Sequence, residues 1–228
     1  MKNSKTLHII TLGFALFAMF FGAGNLILPP YIGLSTADEW FWSVAGFATS
    51  GIIAPFLGLL VVAKNGMSFT DLGNRTSSWL VIALSFAIMW CIGPLIAIPR
   101  TGATTYEMAL LPFFPGMKPW VGALMFFTLT GFLSISPSKI VDIIGKYLTP
   151  ILILLLLLLV FLGVFFPISS AFSSPLDAIS SFQFGFDEGY QTLDVLASVI
   201  FAGIIISAAK NKGYHTVAER SNIVIVSG

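Results

Sequence analysis

Charge is scarce in this chain: Lys, Arg, Asp and Glu together make up 9% of its 228 residues. Soluble domains carry about 25%. Cysteine is nearly absent, and Cys91 alone excludes an intrachain disulfide and any Cys-rich metal centre. Histidine is limited to His8 and His215, both at the edges of apolar stretches. No His-Glu-x-x-His or Gly-x-Ser-x-Gly pattern occurs, so the sequence offers no nucleophile–base set for an intramembrane enzyme. Gly22-Ala23-Gly24 lacks a third glycine and a preceding strand, so it is no dinucleotide fingerprint. A net charge of +1 gives no reason to expect a nucleic-acid partner.

Apolar residues fill the space that charge leaves. They make up 57% of the chain, with 22 Phe, and the mean hydropathy is +0.95. The first apolar stretch exceeds the roughly 7–15 residues of a signal-peptide core, so it is expected to remain as a span. The chain reads as an all-α integral membrane protein with one transmembrane domain over residues 1–228. Hydropathy places spans near 8–32, 41–63, 79–98, 120–135, 143–166 and 193–209, with a truncated seventh from about 223. The third span has room to continue past Pro94 and Pro99, because residues 101–111 are again mostly uncharged. Residues 168–187 form the longest connection, expected to be a surface loop with a short interfacial helix. The Leu/Ile run at 151–159 reads as a lipid-facing or scaffold helix.

Basic residues set the sidedness. With the amino terminus in the cytoplasm, Lys2, Lys5, Lys64, Arg75, Lys139, Lys146, Lys210, Lys212 and Arg220 lie inside. Only Arg100 and Lys118 lie outside, where Asp38, Glu39, Asp177, Asp187 and Glu188 also fall. That asymmetry follows the positive-inside tendency. Trp40, Trp42, Trp79 and Trp120 sit at span ends, where indoles favour the interface.

The most informative residues are Gly22, Ala23, Gly24 and Asn25, inside the first span. Lipid offers no partners to freed backbone groups, so a break there must face protein, water or a solute. A half-helix restarting near Asn25 would point its positive end at a carboxylate. Carbonyls from about Ala18 to Phe21, with the Asn25 side-chain oxygen, would suit a hard cation. Close helix packing through small residues explains the same pattern equally well. Pro29 and Pro30 leave the choice open, since helix termination would account for them. A weaker interruption falls at Phe201, Ala202 and Gly203, between Ser198 and Ser207, in the sixth span. A five-span repeat would make spans one and six corresponding positions. Asp194 lies at the outer end of span six, where the nearby interface favours a solvated carboxylate over a functional one. Arg100 and Glu107 read as structural.

The segments Phe-Phe-Gly-Ala-Gly-Asn-Leu-Ile-Leu-Pro-Pro (20–30), Gly-Pro-Leu-Ile-Ala-Ile-Pro-Arg-Thr (93–101) and Gly-Tyr-Gln-Thr-Leu-Asp (189–194) carry a resemblance across the whole chain. It resembles the bacterial branched-chain amino acid–cation symporter family. The resemblance implies a leucine-transporter-type inverted-repeat fold. This chain would be its first five-helix repeat, the sixth helix and the start of a seventh, hence an N-terminal fragment of a longer protein. It further implies sodium-coupled import of leucine, isoleucine and valine by alternating access in the bacterial inner membrane. By that analogy Gly22, Ala23, Gly24 and Asn25 bind the substrate's polar end, and Phe201, Ala202 and Gly203 its aliphatic side chain. Ala18, Phe20, Phe21 and Asn25 would hold sodium, mainly through backbone carbonyls. No cofactor beyond that ion is expected. The implied partners are the amino acid, membrane lipid and the missing C-terminal half. A truncated, non-transporting membrane component is the alternative.

Overall fold

The computed structural model describes residues 2–65, 77–135, 143–166 and 175–228, and among them every regular element is helical. Arg75 and Lys139 of the basic pattern, and residues 168–174 of the long connection, lie outside the described residues. The chain divides into two compact units, one built from Met1–Leu72 and Asp142–Gly228, the other from Gly73–Val141.

In the first unit, α1 (Lys2–Phe20) stops at Phe21 and Gly22, and α2 (Ala23–Thr36) restarts beyond them. The break expected within the first span is therefore present, but the second half-helix begins at Ala23 rather than near Asn25. Pro29 and Pro30 do not end it; both lie inside α2. Ala37, with a positive φ of 43°, then turns the chain through a short 3₁₀ segment, Ala37–Glu39. α3 (Trp40–Ala48) doubles back, so that Leu28 and Ile32 of α2 bury against Phe47. A hydroxyl bond of 2.7 Å between Thr36 and Ser43 closes this hairpin. A single π-helical turn, Thr49–Ile53, joins α3 to α4 (Ala54–Asn65) within the expected second span.

The second unit is α5 (Ser78–Trp90), α6 (Ala97–Thr105) and α7 (Pro119–Ser134). The third span does continue past Pro94. Gly93 leaves helical geometry at ψ −117°, kinking the junction between α5 and α6. Arg100 lies on α6 and Glu107 on the π-turn Tyr106–Leu110 after it. Tyr106 donates its hydroxyl to the Met117 carbonyl at 2.6 Å and packs its ring against Gly122 of α7.

The remaining elements belong to the first unit. They are a π-helical turn (Ile144–Leu148), α8 (Thr149–Phe165), α9 (Ala178–Tyr190), α10 (Asp194–Asn211) and α11 (Val217–Ser227). The apolar side chains of α8 point outward, the face lipid would cover, as expected of its Leu/Ile run. The short helix expected in the long connection is present beyond Asp177 as α9, and it packs against α3. Its Ser181, Gly185 and Gly189 are buried against α3. A Cβ on Gly185 would strike the Ser43 carbonyl, and one on Gly46 the Phe182 carbonyl. Small residues thus set the spacing, the usual means of close helix approach where no hydrophobic effect drives association. α10 runs unbroken through Phe201, Ala202 and Gly203, so the interruption expected there is absent. Its buried stripe of Ala197, Ser198, Ala202, Ile205, Ile206 and Ala209 recurs every three to four residues, the spacing of one helix face. That stripe packs on α4, where a Cβ at Gly58 would meet Ser198 Oγ. α11 begins at Val217, before the expected start, because Thr216 and Glu219 form a reciprocal capping box.

Among the described residues, four helical segments are long and apolar enough to cross a membrane: Ala23–Lys64, Trp79–Leu110, Lys146–Phe165 and Asp194–Asn211. Two shorter apolar helices, Lys5–Phe20 and Pro119–Ser134, accompany them. His8 at the start of α1 reaches the Tyr214 hydroxyl after α10 at 3.1 Å, so those two ends share a side.

Gly185→Leu is expected to force α3 from α9 and destabilise the purified protein by about 1–3 kcal/mol, read as a lowered midpoint of thermal unfolding. Gly203→Ala, which enters open space, should change it by no more than about 0.5 kcal/mol.

Candidate functional site

The site starts from the backbone at Phe21 and Gly22. Gly22 is extended, at φ −86° and ψ −178°. Its N–H turns to the Phe20 carbonyl at 2.9 Å. In a continuous helix that N–H would bond Ala18, four residues back, so the break frees the Ala18 carbonyl. On the other side, the first amides of α2 have no partner within their own helix and lie at the positive end of its dipole. Pro29 adds a second effect. Having no N–H, it leaves the Asn25 backbone carbonyl without its helical donor.

Asn25 holds the break together. Its side-chain amide donates to the Phe20 carbonyl and, at 2.7 Å, to Asp194 Oδ2. Asn25 Oδ1 is buried and has no hydrogen-bond partner among the described residues. Phe20's carbonyl therefore already accepts from Gly22 and Asn25, whereas Asn25 keeps one oxygen free. Asp194 is the first residue of α10 and is 7% exposed. This overturns the expectation of a solvated carboxylate. Leu193, at a left-handed φ of 63°, makes the turn that directs α10's start inward. The Asp194 backbone N–H donates to Thr192 Oγ1 at 3.4 Å, and a Cβ on Gly24 would only touch the Thr192 methyl at 3.6 Å. The first turn of α2 thus seats against the turn before α10.

Beside this junction lies a cavity of about 460 Å³. Phe20, Phe21, Asn25, Pro29 and Asp194 line it on one side. Phe47, Gly51, Ile52, Pro55, Phe56 and Leu59 of α3, its π-turn and α4 form an apolar wall. Among the described lining residues Asp194 alone carries an ionisable side chain. The volume lies within the usual range of small-molecule sites, and a mostly apolar wall with a few placed polar groups is their usual make-up.

Of the residues singled out from sequence, Phe20, Phe21 and Asn25 line the cavity. Gly22, Ala23 and Gly24 form the break and the first turn beyond it. Ala18 sits in the last turn of α1. Phe201 meets Phe20 edge to face, with ring centres 5.4 Å apart. Ala202 is buried in the α10 stripe and Gly203 faces open space, and none of these three lines the cavity. Sequence reasoning missed the apolar wall and the buried position of Asp194 beside Asn25. The wall had no local signal, because its residues read as ordinary span. Asp194 had one: a carboxylate opening an apolar span.

The long apolar helices mark a multi-pass membrane protein, and its interrupted first span lies beside a cavity. The chain belongs to the branched-chain amino acid transport protein family, whose model matches residues 5–228. It is 37% identical over 220 residues to the branched-chain amino acid permease BraB of Bacillus subtilis (strain 168), covering 93% of this chain and 49% of that protein. To the permease BrnQ of the same organism it is 36% identical over 222 residues, covering 94% and 50%. The chain spans about half the length of the curated relatives it matches. Those relatives are permeases, not enzymes. No solved structure matches it.

Asn25→Ala should leave Asp194 Oδ2 and the Phe20 carbonyl without their shared donor, costing about 1–3 kcal/mol in an unfolding titration of the detergent-solubilised protein. Ser35→Ala removes only an exposed bond to the Tyr31 carbonyl and should stay within about 0.5 kcal/mol.

Proposed function

We propose that this chain works in the import of leucine, isoleucine and valine by sodium-coupled symport with alternating access. It would form the first repeat, sixth helix and start of the seventh in a leucine-transporter-type inverted-repeat fold. The observation that carries this reading is the family match across residues 5–228, coupled with a helix broken at Phe21 and Gly22 beside a cavity. The amides of Ala23 and Gly24 would receive the substrate carboxylate at the positive end of α2, while Gly22, whose N–H is taken by the Phe20 carbonyl, would give the carboxylate room to approach. The carbonyls of Ala18 and Phe21 and the free Asn25 oxygen would serve sodium, while Phe20 contributes less because its carbonyl is taken. The apolar wall from Phe47 to Leu59 supports a seat for an aliphatic side chain, with Phe201 reaching it through its ring contact with Phe20. The protein would lie in the bacterial inner membrane with its amino terminus in the cytoplasm, in contact with lipid and with a C-terminal half. The basic ends of α4 and α10, Lys64, Lys210 and Lys212, support that orientation.

A pocket that recognises shape discriminates one methylene by only about 1–3 kcal/mol. Proteoliposomes should therefore accumulate labelled leucine under an inward sodium gradient, with isoleucine and valine competing at concentrations within about 200-fold of leucine. Lysine and glutamate should not compete. Equal inhibition by charged amino acids would overturn the reading.

A further inference from the structure

We propose that the cavity also binds amino acids with an aryl side chain, of which phenylalanine is the simplest, in competition with leucine. This names a further ligand class for the same site and rests on the transport reading above. Five of the 16 described lining residues are Phe, about three times the share of Phe in the chain, 22 of 228. They stand on both sides of the space. On the side of α1, Phe17 and Phe21 stack with ring centres 5.3 Å apart and planes 19° apart. Phe20 beside them meets Phe201 edge to face. On the other wall are Phe47 of α3 and Phe56 of α4. Phe47 is 6% exposed and is held by Leu28 and Ile32. Phe17 and Phe56, at 37% and 40%, keep much of their rings accessible.

An aliphatic side chain would gain from these rings only dispersion and release from water. An aryl ring gains both and adds offset or edge-to-face contact, because the face of one ring is negative and the edge of another positive. Rings on two walls offer that contact twice. Size permits it. A cavity of about 460 Å³ falls within the range that holds drug-sized molecules, and phenylalanine adds only three heavy atoms to leucine. Asn25 and Asp194 line the same space, so its polar and aromatic linings serve one ligand. The amino-acid head would keep the seat proposed above at the start of α2. A lipid acyl chain would use the rings but leave Asn25 and the Asp194 carboxyl against hydrocarbon, which is costly for polar groups.

Displacement of labelled leucine from the 228-residue chain in lipid nanodiscs tests this. Phenylalanine should displace all of the leucine, at concentrations within about 200-fold of unlabelled leucine. Decanoate, an acyl chain without the amino-acid head, should not. Phe56→Leu and Phe17→Leu remove a ring from opposite walls while keeping them apolar. Each should weaken phenylalanine relative to leucine by about two- to tenfold, and leucine binding shows that the variant is folded. Leucine binding that phenylalanine does not displace overturns the inference and leaves the transport reading standing. Displacement by decanoate as strong as by phenylalanine makes the cavity a general apolar groove and also overturns it. Equal weakening of leucine and phenylalanine in both variants overturns it too, because no contact is then specific to the ring. A wild-type chain that binds no leucine overturns the transport reading, and the inference with it.

Discussion

Inside a bilayer, a peptide group that leaves its helix must find another partner within the protein, and that constraint organises this molecule. At Phe21 and Gly22 the chain meets it locally. Gly22 turns its N–H back to Phe20, and the Asn25 side chain supplies the second donor to the same carbonyl. Asn25 also reaches across to Asp194, so the repair of α1–α2 and the start of α10 are one hydrogen-bonded unit. The amides and carbonyls not consumed in that repair are the groups that a polar solute can use. A broken helix here is stable because its neighbours complete most of its hydrogen bonds, and open to a ligand because they do not complete all of them.

The walls of the cavity depend on close backbone approach. Gly46, Gly185 and Gly189 bring α3 and α9 so near that added methyl groups would collide with main-chain atoms. Ser50 donates its hydroxyl to the Phe186 carbonyl at 2.6 Å, fixing the π-turn around Gly51. Ile52 of that turn and Phe56 beyond it line the cavity beside Phe47. A π-turn inside an apolar helix is a recurrent device at functional positions. The same seam explains why α9 packs rather than floating as a loop: its small residues match the glycines opposite.

The arrangement of spans was open to reading because apolar length and interfacial Trp are local properties of the chain. The helix break was visible as a candidate at Gly22 through Asn25, but packing would have left the same residues. What decides between them is that a Cβ on Gly22 would meet nothing within 4 Å. Close packing therefore does not require that glycine. At Gly203 open surroundings go with an intact α10, so a lone glycine gave a false sign of interruption. Asp194 was misjudged because distance along the chain from a span end was taken as depth. The Leu193 turn moves it inward, and no local pattern encodes that turn.

By itself the sequence determined the membrane class, the order of apolar helices, the weak point in the first span and, through its motifs, the family. Those properties follow from hydropathy and short-range backbone preference, which each segment carries alone. Only the tertiary structure decided that Asn25 meets Asp194, residues 169 positions apart, and that Phe47, Ile52 and Phe56 face the break. Such contacts depend on which helix faces pair and how closely their backbones approach, and a single segment contains neither.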